Sequence, residues 1–309
     1  MIEVASGLVA GAALGVVLQG SGLCSRATVV DALAGRTELA RGWLLGVVVA
    51  GFGLAVLYLL PGTDDLNRGL PFRPVANLVG GLLIGCGMVV ARSCVSGLFY
   101  KLGTGMLGAL VGLVGWGGGE LVARHVTLPG PTTLHGGVDG TLPGVLGLPR
   151  LLVAGVVLVV VLVLLRRRGL PAFGLALGAV VVLGWALAAI GGSSFGPSSV
   201  GAVVSVSDGH PNGWLISFLA GVAAGGFASA LRRHELEVRG ETGTRYVGLA
   251  IGGFLLGAGG WIAGGCTIGH GLSGTAQLNI ASWYVVAAIV LGVVLTGRLA
   301  RITGLREPA

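Results

Sequence analysis

The sequence predicts an all-α polytopic membrane protein, with about nine spanning helices plus short half-helices. Two observations carry that reading. Of 309 residues, 54% are hydrophobic and 10% are charged, whereas a soluble domain carries about 25% charged residues. The apolar residues also fall in runs close to the ~20 needed to cross a bilayer. A third observation, the 61 glycines, fits close helix approach in lipid, where small residues let backbones touch. The net charge of +7 is not a nucleic-acid footprint. The basic residues cluster in short loops between apolar runs, which is a topology signal.

Nine apolar segments run at about 5–24, 42–60, 75–92, 103–123, 145–165, 170–191, 213–231, 246–265 and 281–297. The first, third, sixth and eighth end in Gly/Ser/Cys-rich breaks. Each break is followed by a shorter stretch, at 26–34, 95–100, 197–206 and 268–280, read as a half-helix. The first apolar run has no basic region before it, so no cleavable signal peptide is expected. The Gly/Pro/Thr-rich loop 124–149 reads as a lid or a connector.

Thirteen of the nineteen Lys and Arg residues fall in the loops 35–41, 101, 166–168, 232–245 and after 297. The positive-inside rule makes that side cytoplasmic, with the N-terminus outside and the C-terminus inside. Residues 1–309 then form a single membrane domain. Its first repeat covers 1–144, a linker helix covers 145–169, and a second, inverted repeat covers 170–309. Inverted-topology repeats with discontinuous helices are a transporter architecture. Residues 81–97 align with 253–269 with seven identities in 17 positions, including Cys94 with Cys266. A weaker match sets Gly22 and Cys24 against Gly192 and Ser194.

The breaks hold the candidate chemistry. Cys24, Cys94 and Cys266 each stand nine residues after the second glycine of a Gly-x-x-x-Gly: Gly11/Gly15, Gly81/Gly85 and Gly253/Gly257. Non-helical backbone at membrane depth is tolerated only where it is buried in protein or lines a cavity. The half-helix that follows a break offers free N–H groups to an anion. Gly22 and Gly265 flank the cysteines, and Ser93, Ser194 and Thr267 add hydroxyls. Arg26 and Arg92 lie two residues from a thiol, and an arginine at this depth marks an ion pathway. His270, four residues after Cys266, can donate a hydrogen bond or take a proton. Thiols are soft and polarisable, so they suit a sulfur-bearing anion. Cys86, whose repeat partner is Ala258, reads as a small hydrophobe. No CxxC pair suggests zinc or a redox dithiol, and no metal or cofactor is expected.

Gly22-Leu23-Cys24, Arg92-Ser93-Cys94 and Gly264-Gly265-Cys266-Thr267-Ile268-Gly269-His270-Gly271 resemble the cysteine motifs of the YeeE/YedE sulfur-transport family, in its long fused form. The resemblance implies an inner-membrane protein that takes up thiosulfate, with an hourglass fold of nine spanning helices plus short membrane-dipping helices. It implies that Cys24, Cys94 and Cys266 relay the anion through transient S–H···S hydrogen bonds. It also implies a cytoplasmic TusA-like sulfurtransferase as partner. Some relatives are associated with selenium or other sulfur species. The path is expected to run from outside past Cys24, Cys94 and Cys266 to the cytoplasm. The competing readings are a membrane sulfurtransferase forming a cysteine persulfide, another anion channel, and a redox sensor. With transport as the expected function, the chain is not expected to be an enzyme.

Overall fold

The computed structural model describes residues 1–302. Long apolar runs have no water to satisfy their backbones in lipid, so they close their hydrogen bonds internally as helices. The nine segments appear as α1 (Ile2–Ser21), α3 (Glu38–Leu57), α4 (Pro74–Ala91), α6 (Gly108–Ala123), α8 (Arg150–Arg166), α9 (Ala172–Ile190), α11 (Gly213–Arg233), α12 (Gly243–Ala263) and α13 (Ile280–Ile302). Between them lie the short helices α2 (Ser25–Leu33), α5 (Val95–Gly103), α7 (Leu142–Leu146) and α10 (Ala202–Ser207), and a π-helical turn over Gly269–Gly274.

Among the described residues, seven runs are long and apolar enough to cross a membrane by length and composition, with α1–α2 and α4–α5 each counted as one run. The expected nine exceeds this by α6 and α8, which have 16 and 17 residues. The reason is local in both cases. The chain at 103 is still the end of α5, and Gly105 turns it at φ 96° before α6 begins. The segment expected from 145 is interrupted by Gly147, left-handed at φ 65°, and Pro149 caps α8.

Three breaks are cut by one device. Gly22, Gly192 and Gly264 adopt the left-handed conformation after α1, α9 and α12. The next residue's N–H then reaches back five positions: Leu23 to Leu18, Ser193 to Ala188 and Gly265 to Gly260, at 3.0, 2.9 and 2.9 Å. This is a Schellman end, and glycine suits it because it lacks a Cβ. After α4 the same left-handed position is held by Arg92, at φ 50°.

The Gly-x-x-x-Gly motifs place the broken helices. A Cβ on Gly11 or Gly15 would run into the Phe218 and Val222 carbonyls of α11. One on Gly81 or Gly85 would meet the Val285 and Ile289 carbonyls of α13, and one on Gly253 or Gly257 the Gly112 and Trp116 carbonyls of α6. Each broken helix is thus seated backbone-to-backbone on an unbroken one. The breaks also meet through α4 and α12. Gly80 lies against Gly259 and Ala263, and Ala91 against Gly252, so these helices run antiparallel. Each stops beside the middle of the other.

The remaining contacts close the bundle. α3 packs on α9, with Gly42, Gly46 and Gly53 facing Phe173, Leu177 and Val182. α8 lies outside α3, where Leu45 and Val48 meet Val161 and Leu165. Loop 124–149 is tied to its surroundings: Phe72 N donates to the Leu134 carbonyl at 2.9 Å, and Leu142 N to that of Leu278 at 2.9 Å.

This packing makes Gly257→Val a severe change, because no side chain can retract from a main-chain carbonyl. Overpacking of this kind costs about 3 kcal/mol. Gly118, on the same α6–α12 pair, has nothing within 4 Å of an added Cβ, so Gly118→Ala is expected to be neutral or slightly stabilising. Detergent-solubilised melting temperatures would check both; equal melting points for the two variants would remove the close-contact account.

Candidate functional site

The three motif cysteines occupy the same backbone position. Each stands two residues after a left-handed residue (Gly22, Arg92 or Gly264). Each offers its carbonyl to the N–H four residues on: Cys24 to Thr28 at 2.8 Å, Cys94 to Leu98 at 2.9 Å and Cys266 to His270 at 2.7 Å. Cys24 and Cys94 are the N-caps of α2 and α5, while Cys266 opens the turn that precedes the π-helical residues, whose N-cap is Ile268. Cys94 Sγ accepts from Gly97 N at 3.4 Å, and Cys266 Sγ from Ile268 N at 3.2 Å. All three thiols are free and buried.

Two of the thiols meet. Cys24 Sγ and Cys94 Sγ lie 3.2 Å apart, and Cys94 Sγ is 3.2 Å from Ser96 Oγ. Cys24 caps α2 and Cys94 caps α5, so two nine-residue helices point their N-termini at one pair of sulfurs. That arrangement favours negative charge there. Gly97 makes the approach possible: a Cβ on it would sit 3.2 Å from Cys24 Sγ and 3.4 Å from Cys94 Sγ. The motif reading did not place Gly97 in the site, although Gly97 and Gly269 align in the repeat.

Basic groups border this pair. Lys101 Nζ reaches Ser93 Oγ at 3.3 Å and the Arg92 carbonyl at 3.4 Å. Arg245 donates to the carbonyls of Val90 and Ala91 at 3.3 and 2.5 Å, binding the end of α4 to α12. Arg26, on α2, lines a cavity with Arg298 and Arg301. Ser93 is buried and Arg92 half-buried.

Cys266 forms a separate station. Along α4, Asn77 Nδ2 donates to the Ala263 carbonyl at one end, and Ala91 ends the helix at the other. With 1.5 Å per residue, the break after Ala263, level with Gly80, lies roughly 16 Å from the break after Ala91. Between them is a cavity of ≈ 320 Å³. Its lining includes Ser25, Ser96, Met88, Thr267 and Leu272. A second cavity of ≈ 230 Å³ opens on the far side of the Cys266 break, lined by Asn67, Ser198, Gly264, Gly269, Ser273 and Gln277. The Cys266 loop stands between the two.

His270 braces that loop. Its Nε2 lies 3.1 Å from the Ala263 carbonyl and its Nδ1 2.9 Å from Ser282 Oγ. A carbonyl only accepts, so Nε2 carries the proton, and in the neutral ring Nδ1 is an acceptor for the Ser282 hydroxyl, which it shares with Asn279 Oδ1. Both ring nitrogens are therefore used inside the protein. Gly265 is required by this ring: a Cβ there would lie 2.7 Å from it. Asn279 completes the brace, donating to the Leu70 and Gly140 carbonyls at 2.9 and 3.0 Å.

Ser194 keeps the cysteine register, two residues after left-handed Gly192, but it is exposed. The third break is longer, and α10 starts only at Ala202. The extra residues fold inward: Gly196 sits on Trp185, Pro197 on Gly184, and the Pro197 carbonyl accepts from Ser273 Oγ at 2.6 Å. Ser199, in this segment, is wholly buried and lies against Cys266. Alignment by glycine register could not find it, because the insertion breaks the register. Cys86 is apart from all of this, bonded to Thr296 Oγ1 at 2.9 Å on α13.

The family model described as "Sulphur transport" matches twice in succession, at residues 20–173 and 166–295. The chain is similar to the "Thiosulfate transporter TsuA" of Spirochaeta thermophila, at 26% identity over 93% of this chain and 96% of that protein. It is similar to the protein of the same name from Escherichia coli K12, at 25% identity over 93% and 92%. With both halves of the chain matched and all three cysteine corners inside the matched regions, this multi-pass membrane protein belongs to the sulphur transport family.

Proposed function

We propose that the chain carries thiosulfate across the cytoplasmic membrane into the cell, handing it between the Cys266 station and the Cys24–Cys94 pair. The observation that carries this reading is the shared corner position of the three thiols, each two residues after a left-handed residue and each with its carbonyl bonded to the N–H four residues on. Each cysteine opens a helix or helical turn, so an arriving anion meets a polarisable sulfur together with main-chain N–H groups. The relatives' names supply the substrate: thiosulfate has a soft terminal sulfur for S–H···S contact and oxyanion oxygens for N–H and O–H donors. Gly22, Arg26, Arg92, Ser93, Ser194, Gly265, Thr267 and His270 belong to this site as shaping or flanking groups, His270 by holding the loop.

The two halves are proposed to be inverted repeats, 1–144 and 170–309, joined by the linker helix 145–169. The packing supports this. α1 on α11 is matched by α9 on α3, and α4 on α13 by α12 on α6, while α4 on α12 is its own counterpart. With the basic loops cytoplasmic, Cys266 faces the outside and Cys24–Cys94 the inside. The order of passage is then Cys266 first, the reverse of the order expected from the sequence. The released anion or its sulfur would pass to a TusA-like cytoplasmic sulfurtransferase.

Radiolabelled thiosulfate uptake into proteoliposomes, with and without a pH gradient, tests transport and its coupling. Cys94→Ala and Cys266→Ala are each expected to lower uptake at least tenfold, and Cys86→Ala to leave it unchanged. Full uptake by both site variants would sink the relay. A thiosulfate-dependent persulfide on a motif cysteine by mass spectrometry, with no intact label accumulating, would favour a sulfurtransferase instead.

Arg92 gives a second test. A non-glycine residue in the left-handed region costs about 1 kcal/mol. Arg92→Gly should therefore raise the melting temperature while lowering uptake at sub-saturating thiosulfate. A gain in stability with undiminished uptake would mean the guanidinium is not part of the path.

A further inference from the structure

We propose that Ser199 and Thr267, together with Cys266, form an oxyanion subsite in which the two hydroxyls hold the sulfonate oxygens while the thiol faces the terminal sulfur. This rests on the reading of the chain as a thiosulfate carrier and deepens it. It assigns the selection of the oxygen-bearing end of the substrate to one station.

Ser199 is 0% exposed and Thr267 is 3% exposed. Thr267 Oγ1 has no hydrogen-bond partner, and Ser199 Oγ has none besides the Cys266 thiol it lies against. A buried hydroxyl left unpaired costs free energy and is uncommon in a folded protein. Two buried hydroxyls beside one cysteine, with no partner stronger than its thiol, form a donor set that lacks a strong acceptor. Thr267 follows Cys266 directly and lines the cavity leading toward Ser25 and Ser96. Ser199 lies against Cys266 from the inserted segment of the third break. Its neighbour Ser198 faces the other cavity, so the cluster stands where the two cavities approach each other.

The comparison with the other station sharpens the assignment. In the first half the residue pressed against Cys94 is Cys24, at 3.2 Å. In the second half the residue pressed against Cys266 is Ser199. One station offers two thiols and a single hydroxyl, Ser96 Oγ at 3.2 Å from Cys94 Sγ, and the other a single thiol with two hydroxyls. Hydroxyls are the better donors to charged oxygens, whereas thiols donate weakly. The outer station therefore reads the oxyanion end, and the inner pair reads the sulfur end. Hydrosulfide, which has no oxygens, gains nothing from the hydroxyls.

The test is Ser199→Ala and Thr267→Val in the full-length protein. Two readouts are taken: labelled thiosulfate uptake into proteoliposomes, and the shift in melting temperature on adding thiosulfate. Removing an unpaired buried hydroxyl should leave the unliganded melting temperature equal or higher. Each variant should nevertheless raise the KM for thiosulfate about tenfold, with the maximal rate changed less, and shrink the thiosulfate-induced shift. A lower unliganded melting temperature with unchanged KM would mean the hydroxyls are structural, and the subsite would fall. Wild-type protein that shows no uptake, yet a thiosulfate shift lost in Ser199→Ala, would sink the transport reading and leave the subsite standing. Wild-type uptake with variants that match it in both readouts would do the opposite.

Discussion

The structure depends on one repulsion: two main chains cannot approach if either carries a side chain at the crossing. Three Gly-x-x-x-Gly motifs remove the side chains on α1, α4 and α12, and each helix then rests on the carbonyls of an unbroken neighbour. In lipid this contact matters more than apolarity, since lipid tails are as apolar as the helices they surround. The ridge fixes the height of each broken helix in the bundle. The break, and with it the cysteine nine residues on, is carried to a set depth. Glycine spacing and thiol position are therefore parts of a single mechanical arrangement.

The second constraint is chemical. A helix that stops inside the bilayer leaves carbonyls at its end and N–H groups at the start of the next segment, and these must be satisfied. The left-handed glycines satisfy part of the first set through Schellman bonds. The second set converges on the cysteines. The thiol is a weak acceptor, as Gly97 N to Cys94 Sγ and Ile268 N to Cys266 Sγ illustrate. A weak partner can be displaced by a passing anion, whereas a carboxylate in the same position would hold the amides and repel the anion. On the proposed transport path, both demands favour cysteine over aspartate at these corners.

Much of this was legible in the sequence. Long apolar runs, four Gly/Ser/Cys breaks and the matched spacing of Cys24, Cys94 and Cys266 follow from lipid solvation and helix geometry, which act locally. What the sequence hid depends on how far the chain folds back. Ser194 satisfies the register from Gly192, yet the segment after it turns inward and brings Ser199 to Cys266. His270, read as able to donate a hydrogen bond or take a proton, spends both nitrogens on Ala263 and Ser282, partners that only the tertiary fold supplies. The shortness of α6 and α8 was missed because apolar composition continues through the turns at Gly105 and Gly147.

The two stations are held in place by different means, and this bears on how each can move. Cys24 and Cys94 sit on nine-residue helices anchored at both ends by tight turns. Cys266 opens instead onto a six-residue π-helical turn, a form with poor intrinsic stability. That turn is kept by side chains: His270 to Ala263 and Ser282, Asn279 to Leu70 and Gly140, Ser273 to Pro197, and Gln277 Nε2 to Tyr58 Oη at 2.8 Å. Side-chain networks of this kind have defined alternative pairings; Ser282 Oγ, for example, also lies 2.9 Å from Asn279 Oδ1, so its one proton can serve only one acceptor at a time. A wall between two cavities that is secured by exchangeable hydrogen bonds can open without unwinding a helix. The helix-mounted thiol pair has no comparable freedom. On the proposed relay, the Cys266 loop is the element able to yield, while the Cys24–Cys94 pair is the fixed receiver.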